Sequence, residues 1–520
     1  MYKGKIVIFI FLTLFMAITS FAQQEKKELS LSLEDCILKA MENNLGVAIE
    51  VLNPELADIS VSRAQEKFLP RLSFSFNRRD TNSASYSFLD ASEDVSTVSN
   101  NYSALISQLI PTGGNFSISL DGYKSETNRR FQTINPRYGS TLTFNFSQPL
   151  LKNFGFKVNR REIIIARNNQ DISENQLKRV FQQTIYNVEE AYWNLVHSTE
   201  NLKVRKQSLK LARDLLEKNK RAVEVGTLAP IEILSAQSAV ATREADILQA
   251  EALLKDNEDS LKTILNLAAE GVEEEVEIIP VDKPAYKKKE VTLAEALRTA
   301  IENRPDLQEI RIDLKNREIN LSYASNQLLP DLNITASYWS PGISGTQVLF
   351  DPSNPFGDPT GTLEGSPTDA LKDAFNFRYN NWSAGITLDI PLNTFLSRAD
   401  YAQARINLDQ AMLRLKNQEQ QIFLEVKNTV RAVQTDYKRV QAYKLARELA
   451  EKKLEAEEEK LKVGITTNYF VLQYQTDLAT AQTNELKAII DYNLSLARFN
   501  RILGISLKEK NIRFSKVMGR

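Results

Sequence analysis

One cysteine and one histidine occur in 520 residues, and both scarcities exclude chemistry. The lone Cys36 cannot close an internal disulfide or build a thiolate metal cluster, and its small apolar side chain suits the packed side of a helix. The lone His197 falls mid-helix beside an apolar seam, with no serine, cysteine or acid constellation set around it, and reads as structural. A glycine-rich phosphate loop, Cys/His metal spacing and a nucleophile elbow are all missing. No catalytic, cofactor or metal residue is therefore assigned, and an enzyme is not expected. Net charge is scarce too, at −1, so there is no basic surface to hold nucleic acid.

Long hydrophobic runs are absent beyond the N-terminal segment. There, Lys3 and Lys5 precede an apolar run from Ile6 to Ile18, and Ser20-Phe21-Ala22 offers small residues where a signal peptidase reads. Residues 1–22 are expected to be a secretory signal peptide cleaved after Ala22. Cleavage removes two lysines and no acid, taking the charge from −1 to −3. No cysteine stands at the new N-terminus, so lipid attachment there is not expected. A mature chain without an apolar helix of spanning length can cross a membrane only with β-strands.

What the chain has in abundance is periodicity. Phe181, Val188, Leu195, Leu202, Leu209, Leu216 and Val223 recur every seventh residue, and after Gly226 and Pro230 the beat resumes with Ile233, Val240, Ile247, Leu254 and Leu261. A seven-residue period keeps two helical seams in contact as a left-handed supercoil. This predicts an antiparallel hairpin over 158–267 whose turn uses Gly226 to close one helix, Thr227 to accept from the next helix's first amides and Pro230 in its first turn. A first helix running from Val158 to Val225 would be roughly 100 Å long. A second hairpin is expected over 395–503, with Val426, Val433, Val440, Leu454 and Leu461 on its seam. Its charged run from Glu448 to Lys462 reads as a solvated helix face.

Between helical stretches the period changes to two. Leu72, Phe74 and Phe76 alternate with polar residues, as do Leu142, Phe144 and Phe146, then Leu332, Ile334 and Ala336, then Trp382, Ala384, Ile386 and Leu388. Runs of about ten such residues suit tilted membrane-crossing strands with one face to lipid and one to water. Tyr102–Ile110 and Phe116–Tyr123, joined at Pro111-Thr112-Gly113-Gly114, form an extra pair that either adds two barrel strands, the reading favoured here, or lies across the barrel mouth. The polar stretches Asp80–Asn100 and Lys124–Tyr138 and the segment Ser340–Tyr379 are expected to be outer loops.

The pattern occurs twice. Leu33 matches Leu293, Ala40 matches Ala300 and Leu69-Pro70 matches Leu329-Pro330; later Val225-Gly226 matches Val463-Gly464 and Gln237 matches Gln475. The expected organisation is a first repeat at 23–269 with strands over 72–149, an equatorial linker at 270–290, a second repeat at 291–503 with strands over 331–390, and a tail at 504–520. Linker and tail are expected to pack around the middle of the long helices.

In this order, the motifs resemble the outer-membrane efflux ducts, the TolC-like family. Those carrying the resemblance are Leu293-Ala294-Glu295-Ala296-Leu297 with Ala300, Asn303, Pro305 and Leu307; the Leu-Pro entering the strands; Gln148-Pro149-Leu150 and Ile390-Pro391-Leu392 leaving them; and Val225-Gly226-Thr227 with Ile233-Leu234 and Ala236-Gln237. The resemblance implies a mainly α chain with a membrane β-barrel part: a homotrimer sharing one barrel in outer-membrane lipid, above an α-barrel of coiled-coil hairpins in the periplasm. It would be the passive exit channel of a tripartite efflux or type I secretion system, served by an inner-membrane pump and a periplasmic adaptor. The turns Val225-Gly226-Thr227 and Val463-Gly464-Ile465 would be adaptor-contact tips. Where some family members carry an acidic constriction ring, this chain has Phe470 and Gln473 in the second half and Glu232 and Ser235 in the first, so Tyr469 and Phe470 are expected to make an aromatic seal; the alternatives are that Glu232 supplies the charge instead, or is only an exposed residue at a helix N-terminus. A periplasmic coiled-coil adaptor would explain the hairpins but not the strands; a simple diffusion porin would explain the strands but not the helices.

Overall fold

The computed structural model describes residues 28–86, 93–129, 132–267, 276–284, 286–353 and 357–512. The expected signal peptide, the acidic Glu273–Glu275 and the end of the tail lie outside them. The described residues form two compact units: those within 1–53, 175–307 and 418–520 in the first, and those within 54–174 and 308–417 in the second.

Several helices run across the division: β1 (Glu28–Leu31) and α1 (Leu33–Asn43), in the first unit, lead into α2 (Leu45–Glu66), which passes into the second at Pro54. The stretch from Glu28 to Glu66 is thus a strand and two helices. Ser32 starts α1 with a capping box, accepting from the Asp35 amide while Asp35 accepts from its own. Asn44 stops it, because its backbone is extended and its side chain binds the Ile264 carbonyl at 2.9 Å. The first hairpin is α4 (Arg161–Glu224) and α5 (Ile231–Leu265), preceded by the single turn α3 (Phe156–Asn159). Next come β6 (Glu277–Pro280), α6 (Leu293–Asn303) and α7 (Pro305–Asn326). The second hairpin is α9 (Phe395–Lys462) and α10 (Asn468–Ile502), followed by the turn α11 (Ser506–Glu509).

The core of the first unit forms where β1 pairs in parallel with β6 and α1 meets α5. Leu177, Phe181, Ile185, Val188, Tyr192 and Leu195 present one buried stripe of α4 to Cys36, Ile37 and Ala40, with Leu261, Leu265 and Ile490 closing it. Each large side chain so buried contributes on the order of 2 kcal/mol. Burial also pushes the Cys36 thiol up to about 12, so it stays protonated. Tyr192 donates to Asp282 at 2.8 Å, and Asp282 accepts from the Leu33 amide at 2.7 Å, tying the linker to the start of α1. The tail is held by Lys510 on Glu189 and by Gln182 on the Gly504 carbonyl.

Toward the turn of the first hairpin the buried positions shift from the strict seven-residue seam. Leu202 and Leu209 are buried, but then Leu215 and Asn219 are buried while Leu216 and Val223 are half-buried. A helix of 3.6 residues per turn drifts from a 3.5 repeat, and here the drift is not removed by supercoiling.

The second unit is built on a sheet. Its strands are β2 (Arg71–Ala84), β3 (Asp94–Leu109), β4 (Asn115–Thr127), β5 (Ile134–Pro149), β7 (Asp331–Leu349), the short β8 (Gly361–Leu363) and β9 (Asn381–Asp389); α8 (Pro367–Phe375) precedes β9. The order is β2-β3-β4-β5-β7, with β8 and β9 both pairing β7, all antiparallel. The extra pair read from the sequence therefore continues the sheet between β2 and β5.

Direct cross-strand partners share a face. The register aligns Phe74, Ala104, Leu120 and Leu142 on one side, and Phe144, Tyr338 and Trp382 on the same side. Opposite them lie Ser75, Ser103, Asp121, Thr141, Asn145 and Ser337, joined by bonds such as Ser103 to Asp121 at 2.6 Å and Ser337 to Asn145 at 2.7 Å. One face is apolar and exposed, with Phe74 and Trp382 each 75% accessible; the other is a hydrogen-bonded polar surface.

The outer loops are shorter than expected. β2 and β3 reach through most of Asp80–Asn100, β4 and β5 take up the ends of Lys124–Tyr138, and Ser340–Tyr379 contains the end of β7, β8 and α8. These stretches carry Ser, Thr and Asn on both faces, so no alternation marks them as strand. Among the described residues no helix is long and apolar enough to cross a membrane.

Candidate functional site at the hairpin tips

Both long hairpins turn by the same backbone device. In the first, the Gly226 amide donates to Val223 and the Thr227 amide to Ala222; in the second, Gly464 donates to Leu461 and Ile465 to Lys460. This paired closure needs a left-handed residue, and both glycines supply it, with φ of 75° and 76°. A methyl group added at either would meet nothing within 4 Å. Val225, Val463 and Ile465 stand out into solvent around these turns. Thr227 differs from its expected role: its hydroxyl donates back to Ala222 O at 2.9 Å, finishing α4 rather than starting α5.

The expected constriction residues fall just past these turns. Tyr469 and Phe470 are exposed and meet edge to face at 5.5 Å, with Tyr474 beside Phe470. Gln473 and Ser235 are exposed, and Ser235 bonds only within its own helix, to Ile231. Glu232 is half-buried and accepts from the side chain of buried Asn468 at 3.5 Å, which joins the start of α5 to the start of α10. Thus Glu232 bonds the residue that precedes the aromatic pair, whereas Ser235, one turn further along α5, bonds only within its own helix.

Three polar anchors here were not singled out from the sequence. Glu457, inside the charged run read as solvated, is buried and accepts from the Thr466 hydroxyl and from Lys460; these contacts hold its carboxyl below the ordinary range and brace the turn at Gly464. Asn219 is buried and reaches the Glu232 carbonyl. Arg243 is buried and donates to Ser208 O, Leu472 O, Gln475 Oε1 and Thr476 Oγ1, so it stitches α5 to both α4 and α10. Burial lowers its affinity for its proton, and Asp246 nearby acts the other way. Its signal was present: Ala236, Val240, Arg243, Ile247 and Ala250 follow seam spacing, which puts a cation on an inward position.

The sequence model of the family described as "Outer membrane efflux protein" matches residues 37–267 and 296–505. The chain belongs to the outer membrane efflux protein family. Members are TolC-like channels of the outer membrane, not enzymes. Among similar proteins of this family, Nodulation protein T of Rhizobium leguminosarum bv. trifolii is 22% identical over 390 residues, covering 75% of this chain and 76% of the relative. Outer membrane protein TolC of Vibrio cholerae is 24% identical over 388 residues, covering 72% of this chain and 80% of its own. The fold matches the Campylobacter jejuni outer membrane channel CmeC with a TM-score of 0.61 at 15% identity, over 93% of this chain and 90% of that one. It matches the outer membrane protein VceC of Vibrio cholerae with a TM-score of 0.60 at 15% identity, over 91% and 96% of the two chains.

Proposed function

We propose that three copies of this chain close into one outer-membrane channel, which continues as a hollow helical cylinder in the periplasm. It conducts passively what an inner-membrane pump and a periplasmic adaptor deliver, as in tripartite efflux or type I secretion. The carrying observation is the sheet: an apolar face, a polar face, and outer edges at β2 and β9 with no described strand partner. Open edges cannot stand in lipid, where unpaired backbone groups have no water to bind. Pairing β9 of one copy with β2 of the next removes them. Each chain offers six strands of nine residues or more, so three copies give eighteen, in the range of about 16 to 18 strands that leaves an aqueous channel.

A stripe on α2 supports association as well. Leu45, Ile49, Leu52, Leu56 and Ile59 recur at helical spacing and are all exposed, as expected of a helix that packs against a sister chain. The two-fold repeat is supported by matched element lengths: α1 and α6 have 11 residues each, α2 and α7 have 22, and α5 and α10 have 35. On this reading the boundaries at 269, 290 and 503 separate two copies of one unit, the turns at Gly226 and Gly464 receive the adaptor, and Tyr469 with Phe470 narrows the entrance. The test is a heat-resistant oligomer in outer-membrane fractions, imaged with an axial hole and conducting in a planar bilayer. A compact monomer, or a bundle with no hole, would sink the proposal.

A further inference from the structure

The helix α8 lies on the wrong side of the sheet for an ordinary surface loop. Ser140, Leu142 and Phe144 of β5 pair with Gly342, Ser340 and Tyr338 of β7, and all belong to the apolar face. α8 covers that face: Leu142 and Ser340 are buried, Ala370 and Ala374 point inward, and a methyl group on Gly342 would sit 2.0 Å from the Ala370 carbonyl oxygen. Helix backbone and strand backbone therefore touch at a position that only glycine allows.

The segment is built to stay there. Ser366 opens α8 with a capping box, Pro367 occupies its first turn, and Arg378 clasps Asp373 at 3.2 Å after its end. Phe377 adopts a positive φ that returns its ring to Phe144 and Tyr338, and Tyr338 donates to Asn380 at 2.7 Å. The outward side is amphipathic: Leu371, Phe375 and Tyr379 remain exposed, and so do Asp369 and Lys372. Leu371 also walls a groove floored by Phe74, Phe76, Tyr102 and Leu120. Lys372 pairs with Asp369 and Arg378 with Asp373, so the helix itself carries few unpaired charges, and its exposed pair can reach the headgroup level.

We propose that α8 is a membrane-embedded element: it lies in the bilayer against the outside of the barrel, and lipid acyl chains cover Leu371, Phe375 and the groove beside them. The occupant follows from continuity, because the same face carries exposed Phe74, Trp382 and Ile386, which the barrel reading already gives to lipid. The inference rests on that reading. A short helix with one side on protein and an amphipathic outer side, Leu371 and Phe375 beside Lys372, fits the depth just inside the headgroups.

Single-tryptophan forms of the full chain, reconstituted with phospholipids brominated on their acyl chains, test it. One form keeps Trp382 in a Trp193→Phe, Trp339→Phe background; the other adds Trp382→Phe and Leu371→Trp. Loss of emission in both forms, with little further loss to aqueous iodide, is expected. Quenching of Trp382 by lipid together with quenching of the L371W form by iodide alone overturns the inference and leaves the barrel reading standing. Failure of lipid to quench either form overturns both. Phe375→Trp serves in place of Leu371→Trp should that variant not assemble. Adding Gly342→Leu to the L371W form should expel the helix and transfer its quenching from lipid to iodide; unchanged lipid quenching there would also count against α8 being seated on the sheet.

Discussion

Arg243 on α5 donates to the side-chain oxygen of Gln475 on α10 across 3.1 Å, and every hydrogen bond described for this guanidinium ends on a neutral oxygen. A buried cation without a carboxylate bonded to it depends wholly on such acceptors. Gln475→Leu leaves the charge short of one and should cost about 1 to 3 kcal/mol. Arg243→Met removes the charge itself, keeps much of the volume and leaves only an amide unpaired, so it should cost less. The double variant should lie closer to the parent than the sum of the singles, because neither orphan remains. Thermal melts of the purified protein in detergent, followed by helical circular dichroism, order the three.

The exposed tips separate docking from folding. Val225→Asp and Ile465→Asp alter side chains that stand in solvent, and surface changes of this kind shift stability by no more than about 0.5 kcal/mol. If the turns receive an adaptor, both variants should lose cross-linking to it in cells while oligomer yield stays unchanged. Gly226→Ala should do the reverse: its added methyl meets nothing, so docking persists, but its left-handed backbone costs roughly 1 kcal/mol.

Much of this was legible because the informative signals were local. The glycine in each turn, the heptad residues Phe181, Val188 and Leu195, and the alternation of Leu72, Phe74 and Phe76 each state their environment within a few residues. What stayed hidden depends on partners distant in the chain. The four-residue β1 is a strand only because Leu29 lies against Ile278, and α1 ends at Asn44 because that side chain finds Ile264. α8 was read as loop because its nine residues are too few to show a helical period, and its reason for being there is the space above Gly342. Glu457 was read as solvated because its neighbours in sequence are charged, whereas its burial comes from the fold of the turn around Thr466.

Acid should act through Glu258. This carboxylate is buried on α5 and accepts from Lys255, Lys262 and the Ile278 amide. Burial by itself would raise its proton affinity, but the two ammonium groups and the amide outweigh it and the net shift is downward. A lowered carboxyl gives stability that is present above the ordinary glutamate value of about 4.3 and is lost as pH falls through the lower folded value. Lys255 is half exposed, so water screens its share, and Lys262 with the amide carries most of the effect. Glu258→Gln should therefore cost about 2 kcal/mol at pH 7, with the two melting curves converging below the glutamate range. A gap that persists at low pH would place the stabilisation elsewhere.

Phe470 offers the most direct reading of flow. Its ring meets Tyr469 edge to face and Tyr474 at 6.4 Å, yet it is 44% exposed, so it belongs to an aromatic cluster on the helix surface rather than to the core. Removing a half-exposed ring takes away roughly half of the 3 to 5 kcal/mol that a buried phenylalanine supplies, and folding should survive. On the proposed reading these rings face one another around the channel axis just past the Gly464 turn. Phe470→Ala should then raise single-channel conductance in a planar bilayer, Phe470→Tyr should leave it near the parent value, and Gln473→Ala, which alters an exposed side chain and leaves the rings in place, should change it least. Equal conductance for the parent and the alanine variant would remove the aromatic seal while leaving the channel itself in place.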